Sequence, residues 1–77
     1  MRPIDLATAV RIRADLASHT SRESREAAGV TAADIARVVG VSRQSVSAWE
    51  CGREVPTIPH ALAYGRALAA LDRRPAA

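Results

Sequence analysis

The sequence predicts an all-α domain, a compact bundle of about five short helices. Apolar residues recur at the three-to-four-residue spacing of helices that bury one face, and hydroxyl residues stand where several of these patterns begin. No segment shows the alternating pattern of a strand. A chain of 77 residues has room for a single core, so residues 1–77 are predicted to form one domain.

The first two helices precede the most informative part of the chain. The first is predicted from about Asp5 to Ser18. Apolar residues at helical spacing mark its buried side: Leu6, Val10, Ile12, and Leu16 or Ala17. A second helix is predicted to begin at Thr20, which has capping-box spacing to Glu23, and to end at Gly29.

Two further helical patterns meet at a turn between Ala32 and Cys51. Thr31 lies three residues before Asp34, which is the spacing of a capping box and predicts a helix start. Three residues give this helix a buried face: Ile35, Ala36 and Val39. Gly40 then interrupts the pattern and can adopt the left-handed backbone that a tight exit requires.

The pattern after the turn predicts a helix that begins at Arg43, with Ser42 as its cap and with Val46 and Trp49 on its buried side. Together, the small, turn and apolar positions predict a helix-turn-helix motif, an arrangement used for binding DNA. Taken singly, each residue also fits an ordinary helical hairpin in which Gly40 is only a helix stop.

The last helix is predicted after a loop that runs from Gly52 to Pro56. Thr57 is placed to cap it, and Pro59 is tolerated in its first turn. Leucines give this helix an apolar side: Leu62, Leu68 and Leu71. The helix ends near Asp72.

Composition limits the possible functions. All 11 basic residues are arginine and the net charge is +3, which favours a polyanionic partner. Cys51 has no second cysteine for a disulfide or a zinc site, so we expect a reducing, cytoplasmic setting and no metal or other cofactor. No apolar run is long enough for a membrane span. His19 and His60 belong to no nucleophile or metal motif, so no enzyme is predicted, and no small-molecule ligand is expected.

Helical geometry predicts which residues of the second motif helix face outward. At about 100° per residue, the direction opposite Val46 and Trp49 lies near Gln44. Ser47 and Ala48 lie on either side of Gln44, so these three residues are predicted to be exposed together. Arg43 lies beside them at the N-terminal end, where recognition helices usually meet the major groove.

Side-chain chemistry suggests the base contacts. Arg43 can donate two hydrogen bonds to guanine, and Gln44 can pair with adenine. Ala48 offers a methyl contact to thymine, and Ser47 can touch a base or a phosphate.

Phosphate contacts are predicted at the two helix starts and after the second motif helix. The hydroxyls of Thr31 and Ser42, with the free N–H groups beside them, suit backbone phosphates. Arg53, just past the second motif helix, is the best single candidate for clamping a phosphate.

The run TAADIARVVGVSRQSVSAWECGREVP resembles the helix-turn-helix of the phage repressor and Cro family of small prokaryotic transcriptional regulators. The resemblance covers Arg25 to about Pro56. Its most specific parts are Asp34-Ile35-Ala36, Gly40-Val41-Ser42, and Trp49-Glu50 with Gly52. It implies a repressor-like fold, here with an extra N-terminal helix, and sequence-specific binding to a double-stranded DNA operator. An antitoxin or an accessory protein-binding module with the same fold is the main alternative.

The resemblance also implies one contact, and the sequence departs from the family pattern in two places. Family members often pair an arginine of the preceding helix with the glutamate that ends the recognition helix, here Arg25 and Glu50. Ala32 replaces a phosphate-contacting glutamine, and Ser21 and Ser24 replace apolar anchors. We therefore expect the N-terminal helix to supply the missing part of the core.

Regulators of this family usually bind palindromic operators as dimers, since one recognition helix reads too few base pairs. A homodimer, at least on DNA, is therefore expected. Either the leucine side of the last helix or the exposed side of the N-terminal helix could form its interface.

Overall fold

The computed structural model describes residues 2–74, and this part of the chain folds into five helices without a strand. The helices are α1 (Pro3–Ala17), α2 (Thr20–Ala27), α3 (Ala32–Val39), α4 (Arg43–Glu50) and α5 (Ile58–Leu71). The predicted all-α fold is confirmed. None of the described helices combines the length and the apolar character that crossing a membrane requires.

Three of the predicted helix starts are confirmed by their capping hydrogen bonds. The Asp34 backbone N–H donates to the Thr31 hydroxyl (3.0 Å), and the Thr31 N–H donates back to the Asp34 carboxylate (3.1 Å). Ser42 accepts from the backbone N–H three residues further on (3.1 Å), and Thr57 does the same (3.3 Å). Each cap satisfies a backbone donor that the helix itself leaves free.

Helix α2 begins at Thr20, as predicted, but the predicted capping role of Thr20 is wrong. His19, with a left-handed φ of 66°, occupies the cap position and makes no side-chain capping bond. Thr20 is the first helical residue, and its hydroxyl lies 2.9 Å from that of Ser18. Because α1 continues to Ala17, only Ser18 and His19 remain for the turn, and the cap falls one residue earlier than the Thr20–Glu23 spacing suggested.

The buried side of α1 agrees with the prediction only in part. Ile12 and Leu16 are buried, as predicted, and Ala9 is buried with them, whereas Leu6 and Val10 are exposed. Both sets have helical spacing, so the pattern alone could not show which set faces the core. Ile12 packs where α5 carries Gly65, and a Cβ at that glycine would collide with the Ile12 side chain.

The core lies between α1, α3, α4 and α5, and Tyr64, Leu16, Ile35 and Val46 are its largest fully buried side chains. The leucine side of α5 belongs to this core: one leucine is buried and two are partly buried against it, namely Leu62, then Leu68 and Leu71. This side of α5 is thus turned inward and does not offer the dimer surface considered above. As expected, α1 contributes to the core, and it packs most extensively on α5.

Gly40 adopts the predicted left-handed conformation, with φ of 86°, and its N–H donates to the Ala36 carbonyl at 2.8 Å. We expect Gly40→Ala to lower the free energy of unfolding by about 1–2 kcal/mol, because a Cβ disfavours this backbone region. Gly40→Asn should lose less, since asparagine tolerates it better. Denaturant unfolding would measure both. Equal stability of the alanine variant and the wild type would contradict the expectation.

Candidate nucleic-acid interface

Helix α4 has a buried side that fixes it to the core. Val46 and Trp49 are buried, as predicted. The Trp49 ring packs on the ring of His60 from α5, with 5.5 Å between the centroids. Ser42 caps the N-terminal end, so that end of α4 is ordered and its remaining N–H groups are directed outward along the helix axis.

A buried polar network holds the C-terminal end of α4. The Arg25 guanidinium donates two hydrogen bonds to the Glu50 carboxylate, at 2.7 and 2.9 Å, and a third to the Val30 carbonyl at 2.9 Å. The Tyr64 hydroxyl donates to the same carboxylate at 2.7 Å. The Arg25 and Glu50 side chains are only 11% and 4% exposed. The pair implied by the family resemblance therefore forms, and it joins α4 to α2 and α5.

Burial and hydrogen bonding act on the ionisation of this network. Burial disfavours the Glu50 carboxylate, but the hydrogen bonds from Arg25 and Tyr64 outweigh it and lower the Glu50 pKa below its usual value. Burial, and then the adjacent Glu50 carboxylate, raise the pKa of Tyr64. Glu50 is therefore ionised and Tyr64 neutral near neutral pH.

This shift predicts an acid-dependent loss of stability. Because the Glu50 pKa is lower in the folded chain than in the unfolded one, its stabilising contribution is complete above the ordinary glutamate pKa of about 4.3. The contribution is lost as pH falls through the folded-state value. Thermal melting between neutral pH and pH 3 should show a smaller decline for Glu50→Gln than for the wild type. Parallel declines in the two proteins would contradict the assignment to Glu50.

Two residues that help to hold the C-terminal end of α4 were not identified from the sequence. His19 Nδ1 lies 2.8 Å from the Glu50 backbone carbonyl, which ties the α1–α2 turn to the end of α4. Tyr64 carried one usable signal, since a tyrosine on the apolar side of a helix needs a partner for its hydroxyl. His19 carried none, because its position depends on the left-handed turn that places it.

The outward side of α4 agrees with the prediction only in part. Arg43 and Gln44 are exposed and Ser47 is half-buried, but Ala48 is only 7% exposed, so its predicted outward position is wrong. After α4 the chain turns back, and the N–H groups of Arg53 and of the following residue donate to the Ala48 carbonyl at 2.9 and 3.2 Å. The prediction for Ala48 used the geometry of an isolated helix, which does not include the segment that turns back after α4.

The three predicted phosphate ligands are all exposed: Thr31, Ser42 and Arg53. Thr31 and Ser42 accept capping bonds through their hydroxyl oxygens, while an O–H can still donate. They stand at the N-terminal ends of α3 and α4, where the helix dipole favours an anion. Arg53 stands beyond the opposite end of α4.

The loop that carries Arg53 is fastened at both ends. Its start is held by the bonds to the Ala48 carbonyl. Near its end, Arg13 of α1 donates from Nε to the Pro56 carbonyl at 2.8 Å, a contact between residues 43 positions apart. The sequence did not reveal this role of Arg13, because the partner is a backbone carbonyl and leaves no residue-type signal.

A family model described as a helix-turn-helix domain matches residues 19–77. The match takes in α2 to α5, including Arg25, Arg43 and Glu50, and leaves α1 outside. No curated protein and no solved structure matches the chain significantly.

Proposed function

Since the chain belongs to the helix-turn-helix domain family, we propose that it is a sequence-specific regulator of transcription, a repressor of the phage and Cro type that inserts α4 into the major groove of an operator. One observation carries this proposal. Glu50 and Trp49 hold the buried side of α4 against the rest of the domain, whereas Arg43 and Gln44 are exposed at its capped N-terminal end. We assign the chain no catalytic activity.

Arg43 and Gln44 are the proposed base-reading residues. Both are exposed in the first turn of α4. Arg43 can pair with the O6 and N7 atoms of guanine, and Gln44 with N6 and N7 of adenine. Ser47 is a secondary candidate because it is half-buried. We do not retain the proposed thymine contact of Ala48, since its methyl group is covered.

Thr31, Ser42 and Arg53 are the proposed phosphate contacts. The two hydroxyls and the helix dipoles beside them would fix the position of α4 on the duplex, and Arg53 would hold the strand beyond its C-terminal end. Such contacts add affinity on any sequence and make binding sensitive to salt.

Selection of bound sequences from random duplex DNA tests the function directly. We expect enrichment of a short half-site, and of two half-sites about one helical turn apart when two copies bind. An absence of enrichment at moderate salt would overturn sequence-specific regulation and favour a protein-binding role for the same fold.

Arg43→Ala is expected to relax preference at one base pair, with a loss of discrimination of about 1–3 kcal/mol. Arg53→Ala is the matched control, since it also removes one exposed arginine. It should weaken all sequences alike and reduce the slope of log affinity against log salt by about 1. Binding to a panel of half-site variants at several salt concentrations separates the two effects. If Arg43→Ala left the sequence preference unchanged, the proposed orientation of α4 would be wrong.

A further inference from the structure

A cleft of about 330 Å³ lies between α1 and α5, which run antiparallel. Near the end of α1, Arg13 donates to the Pro56 carbonyl just before α5 begins. At the start of α1, the Asp5 carboxylate lies 3.8 Å from the Arg66 guanidinium, further along α5. The volume is at the lower end of the range for small-molecule sites, which is about 300–1,000 Å³. No small-molecule ligand was expected from the sequence, because the cleft forms only where two helices that are far apart in the chain meet.

The floor of the cleft is apolar, and small residues of α5 keep it open. Ile12 and Leu62, both buried, line it together with Gly65 and Ala69. Gly65 has no side chain, and Ile12 packs into the space that a Cβ would occupy there. Ala69 is exposed and contributes only a methyl group. The cleft therefore offers an apolar surface to the body of a small ligand.

Charged side chains of both signs line the rim of the cleft, and their charges sum to zero: Asp5, Arg11, Asp15 and Arg66. Asp5 is already paired, with Arg2 at 3.3 Å and with Arg66 at 3.8 Å. Arg11 and Asp15 are one helical turn apart on α1, but neither enters an ion pair among residues 2–74. Within this part of the chain, the cleft thus presents one unpaired cation and one unpaired anion beside an apolar floor.

We propose that this cleft binds a free amino acid with an aliphatic side chain. Arg11 holds the carboxylate of the ligand, Asp15 holds its ammonium group, and the floor of the cleft receives its side chain. A guanidinium can donate two parallel hydrogen bonds to a carboxylate, and an aspartate accepts hydrogen bonds from an ammonium group. Side chains one turn apart on a helix are about 5–6 Å from each other at Cβ. Both can therefore reach the two charged groups that an amino acid carries on a single carbon atom.

Charge balance favours a zwitterion over a ligand with a single charge. An organic anion meets attraction from Arg11 but repulsion from Asp15, and an organic cation meets the opposite pair of forces. A zwitterion gains both attractions when its carboxylate faces Arg11. A neutral apolar ligand gains neither of them. The rim therefore selects a ligand with two opposite charges, and the floor selects one with an apolar body.

The cleft is separate from the candidate nucleic-acid interface. Its lining residues all belong to α1 and α5, and none of them is a proposed base or phosphate contact. Ligand binding can therefore be measured without DNA, and its failure would leave the proposed regulatory function untouched. A ligand in the cleft contacts both helices, so it should also raise the melting temperature of the chain.

Leucine and two of its analogues test the proposal by NMR titration of the full chain. Isocaproate lacks the ammonium group of leucine, and isoamylamine lacks its carboxylate. We expect leucine to shift the amide signals of Ile12, Gly65 and Ala69 in a saturable manner. It should bind about tenfold more tightly than either analogue, because each analogue loses one contact to a charged group. Equal affinity for the three compounds, or no saturable shift with leucine, would overturn the proposal.

Variants of the two charged residues assign their roles. Arg11→Gln should lose the preference for leucine over isoamylamine and keep the preference over isocaproate. Asp15→Asn should do the reverse. Because Arg11 is exposed and Asp15 half-buried, both variants should melt near the wild type. If both variants kept both preferences, the assignment of the two charges would be wrong.

A side chain that fills the cleft tests its location. Ala69→Phe should abolish leucine binding, because Ala69 lines the cleft. Ala70→Phe is the matched control, since Ala70 is also exposed on α5 but does not line the cleft. It should bind leucine like the wild type. Leucine binding by Ala69→Phe with unchanged affinity would place the site elsewhere and overturn the proposal.

Discussion

A fragment that begins at Thr20 is expected to be unfolded, although it contains nearly all of the segment matched by the family. The fragment lacks α1 and with it the buried side chains of Ala9, Ile12 and Leu16. Full burial of the isoleucine and the leucine alone contributes about 3–6 kcal/mol. A domain of this size has a total stability of roughly 4–12 kcal/mol. Removal of α1 also exposes the side of α5 that packs on it.

Circular dichroism and thermal melting of the fragment would test this expectation. The matched control is the full chain with Leu6→Ala and Val10→Ala, which removes a comparable amount of apolar side chain from the exposed face of α1. That variant should melt near the wild type. A fragment that melts cooperatively at the temperature of the intact protein would show that α1 is not part of the folding unit.

Arg25→Met is expected to be the most destabilising single substitution in the polar network, at about 3–5 kcal/mol. It leaves the Glu50 carboxylate buried, with the Tyr64 hydroxyl as its remaining side-chain partner. Arg25→Lys should also lose stability, because an ammonium group cannot make the two parallel bonds that the guanidinium makes at 2.7 and 2.9 Å.

A double variant distinguishes an unpaired charge from a simple loss of packing. Adding Glu50→Gln to Arg25→Met removes the buried negative charge and should recover part of the lost stability, although it removes a second member of the network. Denaturant unfolding of both single variants and the double variant gives the coupling energy. Strictly additive losses would mean that the ion pair contributes little beyond the packing of its two side chains.

Helix starts that depend on nearby residues could be predicted from the sequence. Thr31, Ser42 and Thr57 each act on a backbone donor within the next turn, so a residue type at a fixed spacing was sufficient. The exception was Thr20, which had the right spacing but lies one position inside its helix. The cap position of α2 is occupied by His19, which has a left-handed backbone. A histidine in the sequence does not predict that conformation.

Features that depend on distant segments could not be predicted in the same way. Leu6 and Val10 were placed in the core because α1 carries two apolar faces, and the choice between them depends on how α1 packs against the other helices, for example where Ile12 meets Gly65. Ala48 was placed outside because the segment that turns back past it is not part of the helix.

In the candidate site, the inward and outward sides of α4 were mostly predictable from its period. The contact between Arg25 and Glu50 came from a family resemblance and not from spacing. The hydroxyl of Tyr64 and the ring of His19, which complete the support of Glu50, were visible only in three dimensions.

The packing of α1 on α5 also bears on how the chain folds during synthesis. Helix α1 ends at Ala17, whereas its main partner is complete only at Leu71, 54 residues later. At a translation rate of about 5–20 residues per second, this delay lasts roughly 3–11 s. Throughout that interval the Ala9, Ile12 and Leu16 face has no α5 to cover it. A nascent chain stalled before α5 is complete should therefore be sensitive to protease, and protection should appear abruptly once α5 has left the ribosome.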